Sequence, residues 1–205
     1  MIGSNLSLIF EKYTPYRMNN EVYLKMSYCK FCLSLDSENV HAIYHENQYG
    51  FPISDDNELF GRLTLEINQA GLSWDTILKK ETTFRSAYNN FEINKIARFT
   101  HEDEVRLLNN SGVIRNKLKV RAAIFNAQQV ELLQQEFGSF SSWLEYHHPK
   151  SREEWNKLFK KTFKFVGTEI VNEFLMSTSF LPGAHQEFCP VFEKVLKKQP
   201  KWFQG

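Results

Sequence analysis

The stretch from Ser54 to Gly71, SDDNELFGRLTLEINQAG, restricts the choice of fold more than any other part of the chain. Ser54 is a good helix N-cap, and Asp55, Asp56 and Glu58 suit the positive end of a helix dipole. Leu59, Leu63, Glu66 and Ala70 then recur at helical spacing and share one face, with Ile67 beside them, and Gly71 is a natural stop. The same grammar continues downstream. TILKKETTFRSAYNNF has an amphipathic helical face, and Thr100 to Asp103 is a variant capping box. Gly112 breaks that helix, and RNKLKVRAAIFNAQQVELLQQEF resumes at helical period. Ser151 to Glu154 opens another helix, and EIVNEFLMSTSF follows Gly167 and Thr168. Strand-like alternation and hairpin turns are missing, so the expectation is an all-α domain of many short helices.

Composition sets the remaining bounds. At 205 residues and 42% hydrophobic, the chain can bury a full core in one domain. Lys and Arg number 25 against 24 for Asp and Glu, so a nucleic-acid partner would need a local basic patch. No apolar run reaches bilayer length, and the first residues, MIGSNLSLIFEKY, lack a signal-peptide cleavage pattern. Three cysteines do not make a disulfide framework, which points to a reducing cytoplasm. Residues 1–25 differ in character from the rest and are assigned to an N-terminal extension, with the main domain over 26–205.

Glu66 places a carboxylate in the middle of an apolar stripe. Such a group is costly unless paired, protonated or reserved for a ligand. It either reaches solvent or an arginine at the stripe's edge, or it faces a cationic or amino-bearing ligand in a pocket. YHENQYG, residues 44–50, is dense in aromatic and polar groups and fits a packed turn or a pocket wall. Gly112, followed by Arg115 and Lys117, suits either a solvated basic corner or backbone amides gathered on a phosphate. Near the C-terminus, His185 and Cys189 stand four apart, as half of a metal site would. One thiolate from the Cys29-x2-Cys32 pair, together with His45, would complete a Cys2His2 set for zinc. The alternative, a redox pair, lacks the βαβ context such motifs keep.

Taken together, YHENQYGFPISDDNELF, LEINQAGLSWDTILKK, SGVIRNKLK and FKFVGTEIV resemble the 3-methyladenine DNA glycosylase I family, in the same order and at similar spacing. The resemblance runs from about Met26 to near the C-terminus. It implies a helix-hairpin-helix fold with one structural zinc ion. It also implies a monomeric base-excision enzyme that flips N3-methyladenine out of double-stranded DNA and hydrolyses its glycosidic bond without an AP-lyase step. On this resemblance Glu66 recognises the base and is the catalytic candidate. Tyr44, Trp74 and Tyr49 line the pocket, Leu72 enters the duplex, and Gly112, Arg115 and Lys117 hold DNA backbone. Cys32 matches the family's usual cysteine-to-histidine separation, whereas Cys29 matches its opening, Met-x-x-Cys with an aromatic two residues on, and needs a short insertion before His45; on the opening, the resemblance implies Cys29, His45, His185 and Cys189 as zinc ligands. A noncatalytic DNA-binding protein on the same zinc-stabilised fold is the alternative, against which the full pocket set argues. The chain departs from the family at Tyr49, where tryptophan is usual, at Asn172 and Glu173, in a segment that usually carries a tyrosine, and at LPGAH in place of VNDH.

Overall fold

The computed structural model describes residues 27–204, so the expected extension over 1–25 lies outside the described residues. Eleven α-helices occur among the described residues, and no strand does. They are α1 (Tyr28–Leu33), α2 (Val40–Asn47), α3 (Asp56–Gln69), α4 (Trp74–Ala87), α5 (Ile93–Ile96) and α6 (His101–Asn109), followed by α7 (Lys117–Phe137), α8 (Phe140–His147), α9 (Arg152–Thr162), α10 (Thr168–Ser177) and α11 (Pro190–Lys197). Short 3-10 turns cover Asn89–Phe91 and Lys201–Phe203.

Helix α3 is the hub. Every residue from Leu59 to Asn68 is buried, so the amphipathic face read from the sequence is one side of a helix enclosed all round. It packs on α4, α7, α8 and α10. Its N-cap is Asp55, one residue later than expected, and the Asp55 carboxylate accepts from the Glu58 N–H at 2.9 Å. Asp56 does a second job. Its two oxygens accept from the N–H groups of Phe140 and Ser141, and from Gln134, which ties the first turn of α3 to α7 and to the N-terminus of α8.

Most boundaries follow from the caps. Both capping boxes form, at Thr100/Asp103 and at Ser151/Glu154. Asn116 accepts from the N–H groups of Leu118 and Lys119, so α7 starts at Lys117 rather than Arg115. One helix is shorter than its periodicity suggests. α4 ends at Ala87 because Asn89 and Asn90 take positive φ, a conformation asparagine tolerates. The reversal turns Phe91 back into the core, where it is fully buried.

Candidate functional site

Glu66 lies two turns into the buried span of α3 and is 3% exposed. Among the described residues no donor hydrogen-bonds its carboxylate. Burial, reinforced by the negative charge of Glu173, holds its pKa well above the ordinary carboxylate range, and Arg62 opposes the shift. Arg62 stands one turn earlier on the same face and is also buried. Its guanidinium does not close an ion pair with Glu66. It donates instead to Tyr44 Oη at 2.8 Å and to Gln48 Oε1 at 3.1 Å. The carboxylate is thus balanced at a distance by a cation committed to other partners.

Aromatic rings surround this charge pair. Tyr44, on α2, packs edge-on to Trp74 with ring centroids 5.3 Å apart and against Tyr49 at 5.5 Å. All three are buried. Trp74 is the first residue of α4, fixed by the Ser73 cap. Tyr49 donates to Glu173 Oε2 at 3.3 Å. The sequence-derived pocket set of Glu66, Tyr44, Trp74 and Tyr49 is therefore one cluster. Glu173, which the departure from the family pattern puts on a pocket wall, belongs to it as well, and so do Arg62 and Gln48, which were not assigned there from sequence. The spacing of Arg62, four residues before Glu66, was the available signal.

Leu72 lies just past the end of α3, on the turn made by Gly71 at φ +82°, and its side chain is 39% exposed. The lysine that holds this turn was not anticipated. Buried Lys119 donates to the carbonyls of Asn68 and Ala70 at 2.8 and 2.7 Å, closing the C-terminus of α3. Gly112 sits in the turn between α6 and α7. A Cβ there would lie 2.9 Å from the Thr83 Cβ, so a close approach of backbone to α4 requires the glycine. Lys80 and Thr83 donate to the Ser111 and Gly112 carbonyls at 2.7 and 2.6 Å. The Gly112 N–H itself donates to Asn110 Oδ1 at 2.8 Å, so it is already taken within the turn. Arg115 and Lys117 are exposed on the same corner, Lys117 at 3.9 Å from Glu104.

A second buried cluster lies beyond Tyr49. One ligand atom from each of Cys29, His45, His185 and Cys189 falls within 4.8 Å of the others, and all four residues are buried. Cys29 Sγ is 3.8 Å from His185 Nδ1, and Cys189 Sγ is 3.6 Å from His45 Nε2 and 3.8 Å from His185 Nδ1. With metal–sulfur bonds of about 2.3 Å and metal–nitrogen bonds of about 2.0 Å, a tetrahedral site has S···N edges of roughly 3.5 Å. The donor set fits a metal on that ground. His185 Nε2 donates to the Tyr49 carbonyl at 2.7 Å, which turns Nδ1 toward both sulfurs. Burial pushes the Cys29 thiol up to about 12 and the His45 imidazole down to about 4. Cys32 faces away, with its Sγ 3.6 Å from the His41 carbonyl. The four residues could hold a metal ion, and the geometry selects Cys29 over Cys32.

The cluster and the pocket share a short connector. Gly50 follows Tyr49 at φ +78°, its N–H donates to the Ser177 carbonyl, and a Cβ there would lie 2.7 Å from the Ala184 Cβ. Tyr28 packs edge-on to both His45 and Tyr49. α11 begins directly after Cys189 and covers the cluster with Val191 and Val195.

The sequence and the fold are similar to those of known proteins. The model of the methyladenine glycosylase family matches residues 34–154. The DNA-3-methyladenine glycosylase 1 of Escherichia coli K12 is 33% identical over 165 residues, covering 71% of this chain and 88% of its own. The DNA-3-methyladenine glycosylase of Haemophilus influenzae is 30% identical over 178 residues, covering 78% and 96%. Among solved structures, the 3-methyladenine DNA glycosylase I of Staphylococcus aureus, described for its recognition of 3-methyladenine, superposes with a TM-score of 0.69 at 31% identity over 76% of this chain and 93% of its own.

Proposed function

The chain belongs to the methyladenine glycosylase family and is a glycosidase that acts on DNA, and from that premise we propose that it flips N3-methyladenine out of the duplex and hydrolyses its glycosidic bond at Glu66. The observation that carries this is the buried carboxylate of Glu66, without a hydrogen-bond partner among the described residues, inside a ring of Tyr44, Trp74 and Tyr49.

The chemistry follows from the substrate. A base in a duplex is out of reach, so it must leave the stack at a cost of a few kcal/mol, and the exposed Leu72 would fill the gap. The methylated adenine is cationic while attached to the sugar. Each aromatic face beside it contributes about 0.5–2 kcal/mol of cation–π attraction. Glu66 supplies the opposite charge and an acceptor for the exocyclic amine. A neutral base offers no charge to offset the desolvated carboxylate, so the pocket discriminates by charge. A cationic purine is already a good leaving group, which reduces the acid catalysis required, and water completes the hydrolysis. Lys119 is spent on two backbone carbonyls, which supports a monofunctional enzyme without a lyase step. Arg115, Lys117 and the turn at Gly112 would contact phosphate, in the manner of a helix-hairpin-helix element.

The metal of the second cluster is zinc on this reading, held by two thiolates and two imidazoles. Four protein ligands close the coordination sphere, so the ion supplies stability rather than a reactive position. The enzyme is a cytoplasmic monomer, and no helix among the described residues is long and apolar enough to cross a membrane. Residues 1–25 are an extension to the glycosylase domain, which begins near Met26. The deciding assay is release of free 3-methyladenine from methylated duplex DNA. Wild type should release it, and a wild type that binds the DNA without release would overturn the enzymatic reading.

A further inference from the structure

The pocket contains a second carboxyl. Glu173, on α10, accepts a hydrogen bond from Tyr49 Oη at 3.3 Å, and Tyr49 packs on Tyr44, the neighbour of Trp74. Its negative charge is felt at Glu66, Tyr44 and Tyr49 alike, which places it toward the same interior as Glu66. The groups facing it come from several elements: Tyr49 after α2, Arg152 on α9, Glu169 one turn earlier on α10, and Glu66 on α3, which Arg62 in turn opposes. Arg152 lies close enough to favour its charge, but the Arg152 guanidinium also contacts Met176 Sδ at 3.7 Å.

We propose that Glu173 is a specificity-determining residue, a second pocket carboxyl that with Glu66 favours a cationic purine over a neutral one of the same shape. This inference rests on the reading of Glu66 as the base-recognising group. Two carboxylates around one desolvated space repel unless a cation lies between them, so protons are held there in its absence, more firmly by Glu66, whose pKa stands well above the carboxylate range, than by Glu173. Burial, with repulsion from Glu169, places the Glu173 titration at about 7 despite the opposing bond from Tyr49. When a cationic base enters, both carboxyls release their protons to solvent and the two carboxylates face the positive ring, with Glu173 the first to ionise as pH rises. A neutral base cannot drive that release. It fits best while the protons are in place.

The test pairs two duplexes. One carries a single N3-methyladenine, and the other carries its neutral isostere with carbon at ring position 3 and the methyl group on that carbon. For wild type, kcat/KM on the cationic lesion should rise severalfold between about pH 6 and pH 8, mainly through KM, while affinity for the neutral isostere falls about tenfold. Glu173→Gln should flatten both trends and reduce the preference for the cationic lesion about fivefold to tenfold. Glu173→Asp should restore the pH dependence. If Glu173→Gln keeps the wild-type trends and preference, the inference is overturned. If that variant fails to fold, Tyr49→Phe serves instead. Losing the Tyr49 hydroxyl should move the midpoint upward, and an unmoved midpoint overturns the inference. Glu66→Gln measured in parallel separates the two ideas. Loss of excision there with normal behaviour in Glu173→Gln removes only this inference, whereas retained excision in Glu66→Gln removes the assignment of the site.

Discussion

Two polar clusters are buried side by side in this chain, and they solve the same problem in opposite ways. Around Cys29, His45, His185 and Cys189 every donor faces another donor at 3.6–3.8 Å, and His185 is oriented by the Tyr49 carbonyl. Around Glu66 the charges do not meet. Arg62 is turned to Tyr44 and Gln48, and the buried Glu66 carboxylate has no hydrogen-bond donor among the described residues. A self-satisfied cluster has little left to offer a ligand and serves as a clasp. An unsatisfied one keeps free energy in reserve for whatever completes it, which is how a binding pocket differs from a buried structural network.

If the clasp is structural, removing one ligand should produce the largest stability effect in the molecule. Cys189→Ser, or chelation of the wild type, should abolish bound zinc and cost on the order of 4 kcal/mol, a melting drop of roughly 10 °C or more for a chain of this size. Enzyme that remains folded should still excise its base. Immediate loss of activity on chelation at a temperature where the fold survives would place the metal in the chemistry and end the contrast.

Glu66→Gln probes the other side. Excision should fall by about 2–3 kcal/mol in kcat/KM, roughly 30-fold to 150-fold, as expected for a lost charge-assisted contact. Zinc content should not change. Stability should move the other way. An acid whose folded pKa is raised binds more protons in the folded than in the unfolded chain, so stability declines as pH rises above the unfolded value of about 4.5. Replacing Glu66 by glutamine removes that cost. The variant should melt a few degrees higher than wild type near pH 8, and the gain should vanish below about pH 4.5. A variant less stable at pH 8 would show Glu66 to be a structural partner.

Gly50 tests whether the two clusters are coupled. It lies between Tyr49 and the clasp with φ +78°, and an added methyl group would strike Ala184 beside His185. Gly50→Ala should cost about 1–3 kcal/mol from strain and overlap together. The effect should appear in both regions, as weaker zinc retention and as a raised KM from displaced Tyr49. A loss confined to one region would show the clusters to be mechanically independent.

The legibility of the two regions in the sequence differs for the same physical reason. Helix existence and both capping boxes follow from local spacing, and the chain obeys them, while the burial of Glu66, which spacing left open, is settled by the packing around α3. The exceptions are set by tertiary contacts: the left-handed turn at Asn89 and Asn90 ends α4 because Phe91 belongs in the core, and Asp55 displaces Ser54 as the cap. Candidate metal ligands are visible because few residue types can serve, so His185 and Cys189 narrow the choice on their own. The pocket's second tier is not. Arg62 and Gln48 are ordinary polar residues whose importance depends on what α2 and α3 bring together. Lys119 is the sharpest case, a surface-type residue on a basic stretch that turns out to cap a helix 49 positions away.

The smallest predicted effect is also the cleanest check on the clasp. Cys29 and Cys32 are both buried thiols on α1, and a Cys-x2-Cys pair usually binds one metal through both sulfurs. Here α1 divides them. Cys29 Sγ faces His185, and Cys32 Sγ points to the His41 carbonyl at 3.6 Å, outside the four-ligand set. A serine at position 32 can keep that bond to the carbonyl, with a shorter reach and a stronger donor. Cys32→Ser should therefore stay within about 1 kcal/mol of wild type and retain one zinc per chain. Cys29→Ser should behave like Cys189→Ser. Loss of zinc from both single variants would mean that Cys32 also ligates, which leaves the ion with five protein donors or displaces a histidine. In either case the tidy opposition between a closed cluster and an open one would have to be redrawn, because the clasp would then hold a spare ligand.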